Sequence, residues 1–154
     1  MNIRRAAPSD ASSIAALVRG FEAVLVEDPS AAVPFWESMS ERAHVANIAS
    51  DRFVYYIAET DKRFPGFIAM RDDTHLFNLF VERLSQGRDV ARAVLQHAER
   101  QLPPHARTAS ITVNASLNAV SAYQAFGFTA VGEVVRQHGI AFLPMRWDRT
   151  QQAG

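Results

Sequence analysis

Residues Leu76 to Leu102 read LFNLFVERLSQGRDVARAVLQHAERQL and divide at their middle. Leu76, Phe77, Leu79, Phe80 and Val81 form a nearly unbroken apolar run, the pattern of a strand covered on both faces. Ala91, Val94, Leu95, Ala98 and Leu102 then recur at spacings of three and four, the stripe of an amphipathic helix. Between them lies a short polar turn, Ser85-Gln86-Gly87-Arg88-Asp89. Such a turn offers unpaired backbone N–H groups at the positive end of the helix dipole, which suits a phosphate. Strand, turn and helix together predict an anion cradle.

The segment LFVERLSQGRDVARAVL resembles the coenzyme A-binding segment of the GNAT superfamily of N-acetyltransferases, in which Q/R-x-x-G-x-G/A opens a helix. Gln86 takes the first position of that motif, Val90 the variable apolar one and Ala91 the last, with Gly87, Arg88 and Arg92 around them. The resemblance implies that these residues, with the backbone of Leu79, Phe80 and Val81, bind acetyl-CoA. Asp89 stands where the family has its central glycine. Glycine lets the backbone approach the pyrophosphate, whereas a carboxylate adds bulk and a like charge. Two unit charges about 4 Å apart near a surface interact by up to ~4 kcal/mol. Arg83, Arg88 and Arg92 stand close enough in sequence to offset part of that. Asp is also a favoured helix N-cap, worth ~1 kcal/mol. The two readings of Asp89, helix cap and altered cofactor binding, are not exclusive, because a capped amide is unavailable to a phosphate.

Val113 to Phe128, VNASLNAVSAYQAFGF, resembles the other GNAT signature, a strand ending in Asn followed by a helix carrying A-x-x-x-Y-x-x-x-G-F. Ala119, Tyr123, Gly127 and Phe128 match that spacing; Asn114 ends the strand, Ser116 replaces a second Asn, and Asn118 follows two residues later. The resemblance implies cofactor contacts for Asn114 and Asn118. Ala119 and Tyr123 lie one helical turn apart on one face, so the phenol projects past a small residue. A phenol with a pKa of about 10 can donate to a departing thiolate, the step a thioester aminolysis needs. On spacing alone the competing reading is a buried aromatic whose hydroxyl meets a backbone carbonyl. Both family segments in the right order favour the acid.

The flanking chain supplies more strands and helices. Asn2 to Arg5 reads as a strand, and Pro8-Ser9-Asp10 starts a helix whose apolar stripe runs through Ile14, Leu17, Val18, Phe21 and Leu25. Glu27-Asp28-Pro29-Ser30 breaks it, since the residue before proline disfavours the helical region. Pro34 to Glu37 begins a short helical turn, and Ser40 caps a helix carrying Ala43, Val45, Ala46 and Ile48. Phe53 to Glu59 and Phe64 to Arg71 read as paired strands around Thr60-Asp61-Lys62-Arg63. Pro103-Pro104 stops the cradle helix. Thr108 to Asn114 follows as a strand, then a short helix from Asn118 to Phe126 with Gly127 as a left-handed cap. Phe128 to Val135 and Ile140 to Trp147 flank Gln137-His138-Gly139 as a closing hairpin.

Composition sets the bounds. The 154 residues suit one domain, hydrophobic residues make up 48%, and equal counts of basic and acidic residues leave zero net charge. Neutrality argues against a nucleic-acid binder. Without cysteine there is no disulfide, thiolate metal site or cysteine nucleophile. No apolar run approaches the roughly 20 residues that span a bilayer, and no signal-peptide core is evident, so a cytoplasmic location is the default expectation. The five histidines, 44, 75, 97, 105 and 138, show no metal-binding pairing with a carboxylate. No G-x-S-x-G or Walker-type loop occurs either.

Other candidate residues carry single roles. The general base is either His75, whose unperturbed pKa of about 6.5 suits a proton acceptor, or Glu82, which alternates with Leu76, Asn78 and Phe80 along the strand. A structural histidine and a solvated strand-end charge are the ordinary alternatives. Asn78 is placed to orient a substrate or water, and Glu27 and Asp28 to bind a cationic acceptor. Phe35-Trp36 and Tyr55-Tyr56 either line an acceptor pocket or pack in the core.

The sequence thus predicts a GNAT-like α/β (α+β) domain over residues 1–149, with a polar tail at 150–154. Its central sheet is expected to be mixed but mostly antiparallel, with about six or seven strands and about four flanking helices. The implied activity is transfer of an acetyl group from acetyl-CoA to a small-molecule or peptide amine by direct attack, with no metal. Exposed edge strands would permit a homodimer. The alternative is a non-catalytic GNAT-like acyl-CoA-binding or regulatory domain, its cradle altered by Asp89.

Overall fold

The computed structural model describes residues 1–87 and 89–149. Eight strands form one sheet: β1 (Asn2–Arg5), β2 (Phe53–Thr60), β3 (Arg63–Arg71), β4 (His75–Val81), β5 (Ile111–Ser116), β6 (Thr129–Ala130), β7 (Val135–Gln137) and β8 (Ile140–Trp147). Their order is β1-β2-β3-β4-β5-β8-β6, with β7 on the same edge of β8 as β6. Every pairing is antiparallel except β4 with β5. Among the described residues six α-helices accompany it: α1 (Ala11–Arg19), α2 (Glu22–Leu25), α3 (Val33–Ser38), α4 (Glu41–Ala49), α5 (Val90–Arg100) and α6 (Val120–Ala125). The expected tail at 150–154 lies outside the described residues.

Alternation along β2 and β3 builds two cores, one on each face of the sheet. Tyr56, Ala58, Ile68 and Met70 face α5, where Val90, Val94, Leu95 and Ala98 are buried with Leu102. Tyr55, Ile57, Phe67 and Ala69 face the other side, against Ile14 and Val18 of α1, then Phe21, Leu25 and Met39. Both faces being covered explains why these strands read as continuous apolar runs.

Three expectations are corrected. The stripe from Ile14 to Leu25 is not one helix: α1 ends at Arg19, and the chain turns at Gly20 and Phe21 before α2. Glycine is a poor helix former, and the turn swings Phe21 and Leu25 toward β4. The strand expected from Thr108 begins at Ile111, because Ala109 closes a turn onto the Ala106 carbonyl. The run from Phe128 to Val135 is two short strands, not one. Both lie on one edge of β8, and Pro144 in that strand lacks the N–H that would continue the ladder between them. Only Val131 N–H reaches across the gap, to the Pro144 carbonyl at 3.0 Å. The hairpin turn itself is tight, with positive φ at His138 (52°) and Gly139 (74°) as a type I′ turn requires.

Under α4, His44 Nδ1 lies 2.8 Å from the Tyr55 hydroxyl, which also accepts from Asn47 Nδ2 at 3.1 Å. Burial drives the His44 pKa down to about 4 and pushes that of Tyr55 up to about 12. The unfolded chain binds a proton on His44 below its ordinary value of about 6.5, while the folded chain resists until about pH 4. Stability is therefore complete above pH 6.5 and is lost as pH falls from there toward 4. The expected loss is about 3 kcal/mol. Urea midpoints from pH 4 to 7 should show this slope in the native protein and a reduced one in His44→Gln.

Candidate active site

The site follows from one interruption in the sheet. β4 and β5 pair only through His75 with Thr112 and Leu76 with Val113. Opposite them, the β3–β4 register shifts between Ala69 and Met70, leaving Phe77 as an extra residue in β4. Such a bulge bends the strand and disturbs its alternation. Beyond it, β4 and β5 part, and the split exposes the backbone of residues 78–81.

Two cavities occupy the split. The first, about 390 Å³, lies between β4, the turn at 85–89, α5 and α6. The second, about 420 Å³, lies between β4, β5, α3 and the β7–β8 turn. They share Leu25, Leu79, Phe80, Ser116, Ala119 and Tyr123. Tyr123 therefore stands at the junction.

The first cavity holds the predicted cradle. Gln86, Gly87, Asp89, Val90, Ala91, Arg92 and Asn118 line it with Leu79, Phe80 and Val81. Asp89 occupies the N-cap position of α5, yet its side chain makes no capping hydrogen bond, and its backbone is left-handed at φ 61°. The first backbone bond of α5 runs from Ala93 N–H to the Asp89 carbonyl, at 2.9 Å. The amides of Val90, Ala91 and Arg92 thus remain for a bound anion. The capping expectation is corrected: a left-handed backbone turns the Asp89 side chain away from the amides it would cap. That conformation also gives the physical reason a glycine is favoured here. Gly87 is likewise left-handed, at φ 79°, with open space where a Cβ would project. Gln86 donates from Nε2 to the Val81 carbonyl at 3.0 Å, so its side chain ties the turn to β4. Arg92 places its guanidinium 5.1 Å from the Phe126 ring centroid. Arg83 lies over Phe21, outside the cavity. Arg88 lies outside the described residues.

Tyr123 is buried, in edge contact with Phe128 and Phe126. Burial raises its phenol pKa, keeping the hydroxyl protonated. That hydroxyl has no hydrogen-bond partner among the described residues.

A family comparison now decides the class. The acetyltransferase (GNAT) domain family matches residues 21–149, most of the chain. The chain belongs to the GNAT acetyltransferase family. It is an N-acetyltransferase, and the activity of the class is acetyl transfer from acetyl-CoA. No curated protein matches the sequence. Among solved structures it is similar to a GCN5-related N-acetyltransferase from Rhodopseudomonas palustris, with TM-score 0.76, 24% identity, and coverage of 96% of this chain and 94% of the other. It is also similar to the PaiA N-acetyltransferase from Thermoplasma acidophilum in complex with coenzyme A, with TM-score 0.75, 15% identity, and coverage of 96% and 98%. At these identities the likeness concerns the fold, which agrees with the mostly antiparallel mixed sheet expected.

Within this acetyltransferase the other sequence-derived candidates separate. His75 and Asn78 line the second cavity. His75 Nδ1 lies 2.9 Å from the Thr112 hydroxyl, and burial, then Arg71, holds its pKa below the ordinary value. Glu82 lines neither cavity; it pairs with Arg63 and accepts from Ser85 Oγ at 2.8 Å. Its expected alternation with Leu76 and Phe80 fails at the bulge, where Leu76 joins the α5 core and Phe80 the opposite one. Asn114 lines the second cavity and not the first, apart from the cradle with which it was expected to act. Period two in β5 buries Val113 and Ala115 toward α5 and turns Asn114 the other way. Glu27 bonds Arg136 at 3.0 Å and lines neither cavity. Trp36 lies under the Arg19 guanidinium at 4.1 Å, and its neighbour Phe35 lines the second cavity instead. Arg71, Met39 and Phe142 also line that cavity, though no motif marks them. Among the described residues no cluster could hold a metal ion, and no helix is long and apolar enough to cross a membrane.

Proposed function

We propose that the first cavity binds acetyl-CoA, the second binds the acceptor amine, and Tyr123 acts between them. The observation that carries this is the meeting of the two cavities at an unpartnered, protonated phenol. The free amides at the start of α5, Arg92 and the left-handed turn suit the diphosphate. The backbone of 79–81, freed where β4 leaves β5, suits pairing with the amides of the pantetheine arm. When bound, acetyl-CoA supplies the thioester whose C–S bond breaks as the amine nitrogen bonds to the carbonyl carbon. Tyr123 gives its phenolic proton to the departing sulfur and recovers one from solvent. His75, neutral and on the acceptor side, takes the proton that the amine loses, directly or through water. Asn114 and Asn78 flank the acceptor.

Asp89 is the unfavourable residue among those described in the cradle. Asp89→Gly removes a carboxylate near the diphosphate and relieves a left-handed side-chain-bearing residue. Calorimetric titration should show acetyl-CoA binding to the native protein and binding about tenfold tighter to Asp89→Gly. Binding by the variant alone would mean a cradle blocked by Asp89, which favours a non-catalytic role. Binding by neither would remove the assignment of the first cavity.

A further inference from the structure

Two residues that line the acceptor cavity each carry a buried polar atom without a partner, and the two differ in kind. Asn78 is only 8% exposed; its Nδ2 donates to the Phe77 carbonyl at 2.9 Å, while its Oδ1 has no hydrogen-bond partner. Arg71 Nε is buried with no partner. The carboxylate nearest to that Nε, Asp72 Oδ2, lies 3.8 Å away, and Arg52 already holds Asp72 through bonds of 3.0 and 2.8 Å. One unused acceptor and one unused cationic donor thus belong to residues that line the same cavity. Leaving such groups unpaired under a ligand is costly, so a matching ligand gains strongly from pairing them.

The rest of the wall is apolar, including Phe35, Met39, Phe77 and Phe142, and no Asp or Glu lines the cavity among the described residues. A polyamine would bring several positive charges to Arg71 with no carboxylate to balance them. We propose that the acceptor is an amino-acid-type molecule, a small amine bearing a carboxylate on an apolar body. Arg71 holds the carboxylate, Asn78 Oδ1 accepts an amine N–H, and the aromatic wall covers the side chain. Accepting one N–H aims the nitrogen and leaves its lone pair free to attack. This inference rests on the acceptor reading of the second cavity.

The test is steady-state acetylation by the full chain, followed through release of the coenzyme A thiol. L-Phenylalanine and L-leucine are each compared with their decarboxylated amines, 2-phenylethylamine and 3-methylbutylamine, and with spermidine. At least one amino acid should exceed its decarboxylated partner in kcat/KM by about 10- to 100-fold, the range for one charged hydrogen-bonded contact. Arg71→Gln should erase that margin through KM for the amino acid, while its amine changes by less than about threefold. Asn78→Asp should reverse the preference toward the amine without a carboxylate. The proposal is overturned if spermidine or the decarboxylated amines are the better native substrates, or if Arg71→Gln lowers both members of a pair equally. Acetyl-CoA binding measured in parallel separates the failures. Binding without turnover of either amino acid removes the acceptor assignment alone, whereas no binding removes the acetyl-transfer reading beneath it.

Discussion

Tyr123→Phe is expected to lower kcat by about 100-fold across the pH range, the lower end of what a positioned acid contributes. Acetyl-CoA affinity and the thermal midpoint should stay close to native. The separation is expected because the Tyr123 hydroxyl bonds no described residue, while its ring packs against Phe126 and Phe128 and is kept by Phe. Removing the oxygen leaves no protein group unsatisfied and creates no large void. Burial keeps the phenol protonated well above neutral pH, so loss of the proton donor should not be hidden in any accessible pH range. Rapid mixing to separate the chemical step from product release, with calorimetry for binding, decides the point. Unchanged turnover at every pH would leave Tyr123 as a buried aromatic and move the acid elsewhere.

Phe67→Ala is expected to destabilise the protein by about 4 kcal/mol, within the range for deleting a buried aromatic. Phe67 is fully buried in β3, with ring centroids 6.0 Å from Tyr55, 6.3 Å from Phe64 and 5.9 Å from Phe80. For a chain of this length the thermal midpoint should fall by roughly 10 °C. The functional consequences should be uneven. The α5 core lies on the opposite face of the sheet, so acetyl-CoA affinity should fall only slightly, through Phe80, which stacks on Phe67 and lines both cavities. Met39, Phe35 and Phe77 of the Phe67 side line the second cavity as well, so the amine KM should rise more. A uniform loss of both affinities would show that the two faces are less independent than their separate cores imply.

The chain declares its local chemistry openly. The apolar run at 76–81, the polar turn and the stripe through Val94, Leu95 and Ala98 suffice to predict strand, cradle and helix, because each depends on a short period or on backbone donors at a helix start. Ser40 could be read as a cap, and its Oγ does accept from Ala43 N–H at 3.1 Å. The A-x-x-x-Y spacing could be read as one helical face, and Ala119 and Tyr123 do share both cavities. These are contacts between near neighbours, which composition and spacing encode directly.

The second cavity was much less legible. Arg71 and Asn78 belong to two strands, and their shared cavity exists only because a bulge at Phe77 and a parting from β5 reshape β4. Glu82 illustrates the same limit from the other side: alternation placed it with Leu76, Asn78 and Phe80, and one extra residue in the strand set Leu76 and Phe80 in opposite cores. Glu27 and Trp36 had suitable chemistry but found partners in Arg136 and Arg19, residues whose proximity depends on how distant elements pack. Spacing and composition alone carry the covered strand at 76–81, the helix after it, and the cradle with its aberrant Asp89. It takes the folded chain to show that Asp89 is left-handed and uncapping, which carboxylates are consumed in ion pairs, and which residues lining the second cavity carry unpaired polar atoms. Local periods and caps follow from backbone geometry within a few residues, whereas a bulge, an ion pair or an orphaned donor depends on which distant residue arrives opposite.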